Sequence, residues 1–137
     1  MSGSSSHRVR TPPRVRFAPS EDRFNLKTAA ETLAREPSGQ RGHKQMALFR
    51  HGPATLALYL FETGASLPDH VVDGPVIIHV LQGRLKVATD QTEHDLPAGT
   101  LLRLAPNVRH DVSALERSQM LLTICVEGPG SHAVEEP

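Results

Sequence analysis

Short apolar runs separated by polar turns dominate the chain from residue 44 onward. The runs have the length of β-strands and are rich in residues that suit a pleated sheet, and they cover residues 46–49, 55–61, 76–81, 85–88, 100–104 and 120–126. Gly, Pro, Asn and Asp mark the turns between them. Because no helical pattern lies between the runs to make crossover connections, they predict an all-β antiparallel sandwich or barrel.

The segment before these runs carries a different pattern. Residues 25–36 show helical spacing, since Asn25 can cap the first turn and a proline follows the last one. Apolar residues recur on one face of this segment at Leu26, Ala30 and Leu33. The tract 37–42 is typical of a linker. We therefore expect a short helix and a linker over residues 21–43, followed by a β domain over residues 44–127.

Both ends of the chain differ from this domain. Residues 1–20 are rich in Ser, Pro and Arg and contain no acidic side chain, so we expect a disordered basic arm. Such an arm could contact phosphate groups. Its four arginines have no folded basic surface beside them and are more typical of a solvated tail, so a nucleic-acid partner is not expected. Residues 128–137 form a second polar tail.

The composition narrows the class of protein. A chain of 137 residues is long enough for one core and short for two. Its 15 basic residues (Lys and Arg) balance its 15 acidic ones, so no charge bias favours nucleic acid or an anionic membrane. Without a run of bilayer length or an apolar leader, we expect a cytoplasmic protein with no membrane contact. The lone Cys125 lies in an apolar run, where a buried strand residue is expected rather than a nucleophile.

Spaced glycines and histidines in the β region resemble the first motif of the cupin family. That motif has a Gly, then a His after five intervening residues, a second His, a Glu and a closing Gly. Gly64, His70 and Gly83 match it, whereas Val72 stands at the second His position and Val76 at the Glu position. The first motif therefore retains His70 as its one ligand residue.

The second cupin motif has a turn Gly, a Pro and a closing His. Gly99, Pro106 and His110 match it. The Gly that the family has after the Pro is not at the expected offset, and Ala114 stands at the family's Asn position. The resemblance spans about residues 46–126 and retains two of the four family ligands.

The resemblance implies a double-sheet jelly-roll barrel in which both motifs line one end of a single cavity. His70 and His110 would then point into that cavity, where neutral imidazoles can bind a divalent metal. Two ligands alone hold a metal poorly, so the expected cofactor is a divalent ion with further ligands, or none. The resemblance also implies a homodimer formed through the outer faces of the sheets.

Two further residues are candidates for the missing ligands. Strand parity argues against His79, because an inward Val76 would place His79 on the outer face, but the resemblance to small cupins with a polar residue here keeps it as a candidate. Asp73 could bind a metal or orient His70, although Asp before Gly-Pro also initiates turns. An outward row of Ile77, His79 and Leu81 would need a cover, from the helix or from a second copy of the chain.

Three functions from different classes remain open. The cavity could bind a small molecule, with or without a metal on His70 and His110. The chain could also be a metal-dependent enzyme of the dioxygenase or isomerase type, although Val72 and Val76 remove ligands that such a site needs. It could also be a non-catalytic interaction module, in which the barrel is mainly a scaffold and the basic arm or the dimer surface makes the contacts. Independently of these classes, His70 and His110 could be satisfied core residues with no ligand role. We expect the first of the three functions, and no residue identifies the ligand.

Overall fold

The computed structural model describes residues 20–39 and 42–126, which form one helix and nine strands. The helix, α1, comprises Leu26–Ala34. The strands are β1 (His43–His51), β2 (Ala54–Phe61), β3 (Ser66–His70), β4 (Val76–Gln82), β5 (Arg84–Thr89), β6 (Glu93–Pro97), β7 (Leu101–Leu104), β8 (His110–Ala114) and β9 (Ser118–Cys125). Apart from Ser20, the predicted basic arm lies outside the described residues, as does the predicted C-terminal tail. No helix in the described part is long and apolar enough to cross a bilayer.

The strands form two antiparallel sheets that face each other across the core. The larger sheet has the strand order β1-β2-β9-β4-β7, and the smaller one has the order β3-β8-β5-β6. Strands that are neighbours in space are often distant in sequence, as β2 and β9 are in the larger sheet and β3 and β8 are in the smaller one. This arrangement confirms the predicted double-sheet jelly roll.

The core lies between the inner faces of the two sheets. On β4 of the larger sheet, Val76, Ile78 and Val80 are almost fully buried, and they alternate with more exposed residues. Leu85, Val87 and Val112 are equally buried on the smaller sheet. Burial of an aliphatic side chain of this size contributes roughly 1.5–3 kcal/mol. The aliphatic residues of both sheets therefore supply most of the stabilisation.

Helix α1 begins where the sequence predicts and covers part of the outer face of the larger sheet. The Asn25 side chain accepts a hydrogen bond of 3.0 Å from the Thr28 N–H, which caps the first turn. Ala30 and Leu33 pack on Leu58, with half-buried residues around them that include Leu81. The helix therefore covers only one end of the predicted outward row. Whether a second copy of the chain covers the rest stays a prediction.

The strands that the apolar runs do not predict are β3, β6 and β8, and all three belong to the smaller sheet. Each is five residues long, and each buries only one or two apolar side chains. In β8, for example, the burial alternates along the strand, but His110 and Ala114 occupy two of its three buried positions. A search for apolar runs overlooks such strands because their inward residues are few, small or polar.

The turn at Gly83 is packed against the start of β9. Gly83 has a φ of +84°, and a Cβ at this position would overlap the Arg117 carbonyl oxygen and the Ser118 hydroxyl. Ser118 is buried, and its Oγ accepts a hydrogen bond of 3.0 Å from the Arg84 N–H and donates one of 2.7 Å to the Glu116 carbonyl. The first residues of β5 and β9 are therefore joined around a glycine that cannot be enlarged.

We expect Gly83→Ala to destabilise the fold much more than Gly64→Ala. Gly64 also has a φ of +84°, but it has no other atom within 4 Å of an added Cβ. Gly64→Ala should therefore cost only the left-handed backbone penalty of about 1–2 kcal/mol, whereas Gly83→Ala should cost ~1–3 kcal/mol more through overpacking. Urea unfolding of both variants measures the difference, and equal losses of stability would contradict the packing described here.

We expect His43→Phe to stabilise the protein. Among the described residues, His43 Nδ1 is the one buried side-chain nitrogen or oxygen that has no hydrogen-bond partner. The centroid of the His43 ring lies 5.9 Å from that of Tyr59 and 6.0 Å from that of Phe61. An aromatic replacement removes the unpaired nitrogen, so the free energy of unfolding should rise by about 1 kcal/mol. His51→Phe, on an exposed residue of the same strand, is the control and should change it little. A loss of stability in His43→Phe would refute this interpretation.

Candidate functional site

His70 and His110 lie side by side in the smaller sheet. They end β3 and begin β8, and the two residues are direct cross-strand partners. Their ring centroids are 6.1 Å apart and the ring planes are inclined by 28°. The two histidines selected by their motif spacing are thus brought together, although they are forty positions apart in the sequence.

A β-bulge in β3 places His70 on the inner face. Leu67 pairs with Val112, and His70 pairs with His110, so β3 uses one residue more than β8 between these two pairs. Side chains alternate along a regular strand, and His70 would then point away from the face that carries Leu67. The extra residue reverses this parity, because it shifts the register by one position. The bulge therefore directs His70 to the same side as the buried His110.

A cavity of about 100 Å³ lies between the sheets beside this pair. The rest of its wall is aliphatic apart from Tyr59, and the lining residues are Tyr59, Leu67, His70, Val72, Val76, Ile78, His110, Val112, Met120, Leu122 and Ile124. His70 lines the cavity and is also exposed, so the cavity has a mouth at this histidine. The volume is below the range of typical small-molecule pockets, which restricts the cavity to a compact occupant.

The hydrogen bonding of His110 determines which ring nitrogen is free to accept. His110 is 6% exposed, and its Nδ1 lies 3.0 Å from the Val108 carbonyl oxygen. A carbonyl can only accept, so Nδ1 must carry the hydrogen of this bond. In the neutral ring the lone pair is then on Nε2. His110 therefore presents a hydrogen-bond acceptor, or a potential ligand atom, from the wall of the cavity.

Tyr59 is a polar cavity residue that neither cupin motif includes. It lies on β2 opposite Met120, and both side chains line the cavity. Burial raises the pKa of its phenol above the ordinary value, because the charged phenolate would be poorly solvated. Tyr59 is therefore a neutral hydroxyl near neutral pH. Strand parity could have identified it, since residues 55–61 were expected to form a strand and its inward positions include this one.

His79 lies on the outer face of the larger sheet and does not line the cavity. Val76 and Ile78 of the same strand are cavity residues, and His79 has the opposite parity. The shift of register in β4 follows Val80, so it does not reverse His79. The interpretation of His79 as an additional cavity residue is therefore wrong, and the parity argument against it holds.

Asp73 lies in the loop between β3 and β4. Its side chain is exposed and is not part of the cavity lining, which corrects its interpretation as a cavity residue. Gly74, the next residue, is buried against the Cys125 backbone at the end of β9. The loop is thus fixed to the end of β9 at Gly74.

The donor set does not fit a complete metal site. Protein sites for zinc or redox iron commonly supply three or more ligand side chains. In the described part of the chain, no group of three or more His, Cys, Asp or Glu side chains is placed to hold an ion. Val72 and Val76 line the cavity where the resemblance expects a His and a Glu, and neither can bind a cation. The two imidazoles are the donors that this cavity offers to a metal.

Comparison with known proteins agrees with this architecture. The model of the cupin domain family (Cupin_2) matches residues 57–127, which include both motifs. The chain belongs to the cupin family. A search of curated proteins found no significant match.

Several solved structures share the fold of this cupin at low sequence identity. A cupin superfamily protein (DSY2733) from Desulfitobacterium hafniense DCB-2 is 20% identical with a TM-score of 0.65, and the match covers 80% of this chain and 94% of that one. TT1209 from Thermus thermophilus is 19% identical with a TM-score of 0.65, covering 79% and 100%. KdgF from Halomonas sp. is 18% identical with a TM-score of 0.61, covering 69% and 88%. Identities this low show a shared fold and do not carry a function to this chain.

We expect His110 to be the Nδ1–H tautomer in solution. The bond to the Val108 carbonyl requires that tautomer in the neutral ring. A two-bond ¹H–¹⁵N correlation spectrum at mildly alkaline pH distinguishes the tautomers, and loss of the signal in His110→Ala assigns it. A predominant Nε2–H form of His110 would contradict the hydrogen bond described here.

Proposed function

We propose that this cupin binds a compact small molecule in its barrel without catalytic turnover, and that His70 and His110 contact the polar part of the ligand. The observation that carries the proposal is the pairing of two imidazoles, 6.1 Å apart, on one wall of an otherwise largely aliphatic cavity. Such a cavity combines apolar burial with a few placed polar groups, which is the usual composition of a ligand pocket.

The hydrogen bonding of His110 restricts the chemistry of the ligand. With Nδ1 engaged by Val108, Nε2 accepts, so a suitable ligand offers a hydroxyl or an N–H. The remainder of the ligand contacts aliphatic side chains such as Val76 and Ile78, and a charged group there would lose its hydration without compensation. The best fit is therefore a neutral, mainly apolar molecule with one donor group.

The size of the cavity points to a small ligand. An apolar cavity of roughly 150 Å³ accommodates a benzene molecule. The cavity of about 100 Å³ seen here suits a ring no larger than benzene, with the polar end of the ligand directed to the mouth at His70. A small alicyclic alcohol has this shape and this single donor.

Binding without a metal is the form of the proposal that the donor set supports. A metal-dependent dioxygenase or isomerase needs open coordination positions on an ion that the protein holds firmly. Val72 and Val76 offer no ligand atoms, and neither Asp73 nor His79 is among the residues that line the cavity. A divalent ion on His70 and His110 remains the alternative, and elemental analysis distinguishes it from the metal-free form.

We expect cyclopentanol to bind in the cavity more tightly than cyclopentane. Titration of each compound, followed through the methyl signals of Val76, Ile78 and Leu122, measures both affinities. The alcohol should be favoured about three- to tenfold, the value of one neutral hydrogen bond. This preference should disappear in His110→Ala, because a larger cavity affects both compounds alike whereas the lost acceptor affects only the alcohol. His79→Ala, on the outer face, is the control and should retain the preference.

Two results would contradict the proposal. If neither compound shifts the cavity methyl signals, the cavity does not bind a compact apolar ligand. If the purified protein carries about one equivalent of a transition metal that is lost in both His70→Ala and His110→Ala, the site is a metal centre, and the metal-free form of the proposal fails.

A further inference from the structure

The turn between β7 and β8 makes two connections at the edge of the cavity. The Asn107 N–H donates a hydrogen bond of 2.8 Å to the carbonyl of Val72, a cavity-lining residue in the loop after β3. One residue further along the turn, the Val108 carbonyl accepts the hydrogen bond from His110 Nδ1. The same short turn therefore fastens a cavity wall and holds one of the two histidines.

Asn107 has an unusual backbone conformation. Its φ is +66°, and no other non-glycine residue in the described part of the chain has a positive φ. Most L-residues avoid this left-handed region, whereas Asn enters it more readily and Gly without a steric penalty. Sparsely populated backbone conformations persist where the surrounding structure imposes them, and they cluster at functional sites.

The left-handed conformation links the two hydrogen bonds. Rotation about φ of residue 107 changes the angle between its own N–H, which binds Val72, and the chain that follows, which carries the Val108 carbonyl. With the N–H held on Val72, φ of Asn107 thus determines where that carbonyl points. A residue that leaves the left-handed region has to break the bond to Val72 or turn the carbonyl away from His110.

We propose that Asn107 is a positioning residue for the cavity: its left-handed backbone holds the Val108 carbonyl on His110 Nδ1 and so keeps His110 Nε2 as the acceptor for the ligand. The inference rests on the proposed function in one respect, since the acceptor matters only if a donor-bearing ligand binds. The effect on the tautomer of His110 does not depend on any ligand. The two parts can therefore be tested separately.

The test compares residues that differ in their tolerance of a positive φ. Asn107→Gly should keep the Nδ1–H tautomer of His110 and bind cyclopentanol within about twofold of the native chain. Asn107→Val, with a β-branched residue, should populate the Nε2–H tautomer and lose the three- to tenfold preference for cyclopentanol over cyclopentane. Ala105→Val places the same side chain on an exposed residue of the same turn without a positive φ, and it should behave as the native chain.

The readouts separate positioning from stability. Two-bond ¹H–¹⁵N spectra report the tautomer, ligand titrations report the preference, and urea unfolding reports stability. If Asn107→Val fails to fold, Asn107→Ala provides the same comparison with a smaller side chain. An unchanged tautomer in a folded but destabilised variant would show a purely structural role and overturn the inference. A changed tautomer in a protein whose native form binds neither compound would uphold the positioning role and refute the proposed function.

Discussion

The shift of register between β3 and β8 is the constraint on which the candidate site depends. It adds one residue to β3 between the pair Leu67–Val112 and the pair His70–His110. Because side chains alternate along a strand, this single residue decides whether His70 faces the core or the outside. Without it, His110 would line the cavity without a second imidazole beside it. The chemistry of the cavity thus follows from a local irregularity in an otherwise regular sheet.

The two sheets differ in what they contribute: the larger sheet mainly stabilises the fold, and the smaller sheet carries the two histidines. The larger sheet supplies an almost uninterrupted aliphatic wall through β4 and β9, and its burial provides much of the stabilisation. The smaller sheet can therefore tolerate short strands with polar inward residues. His110 is accommodated there because its Nδ1 is satisfied by a backbone carbonyl, so its burial does not leave an unpaired donor. His70 keeps contact with solvent at the mouth of the cavity.

This difference between the two sheets also explains which features of the fold and of the site could be predicted from the sequence. Residues such as Val76, Ile78 and Val80 form long apolar runs, so the larger sheet, its parity and the outward position of His79 follow from the pattern. The motif spacing selected His70 and His110 correctly as neighbours. The bulge was beyond prediction, because a register depends on the partner strand, and neither β3 nor β8 has an apolar run. Tyr59 could have been identified from the parity of β2, whereas the left-handed backbone of Asn107 is not reported by residue type alone.

The valines of the cavity change what the remaining histidines can do. A cation held by two imidazoles needs further donors to replace its hydration, and Val72 and Val76 exclude water from the wall without replacing it. A neutral ligand faces no such loss: its apolar part gains from the aliphatic lining, and its one donor is matched by the Nε2 that the Val108 carbonyl leaves available. Valine at the family's second His position and at its Glu position therefore affects the binding of neutral ligands as well as that of a metal. Under the proposed function, the barrel would favour uncharged, compact molecules, because burial in an aliphatic wall penalises a charged ligand.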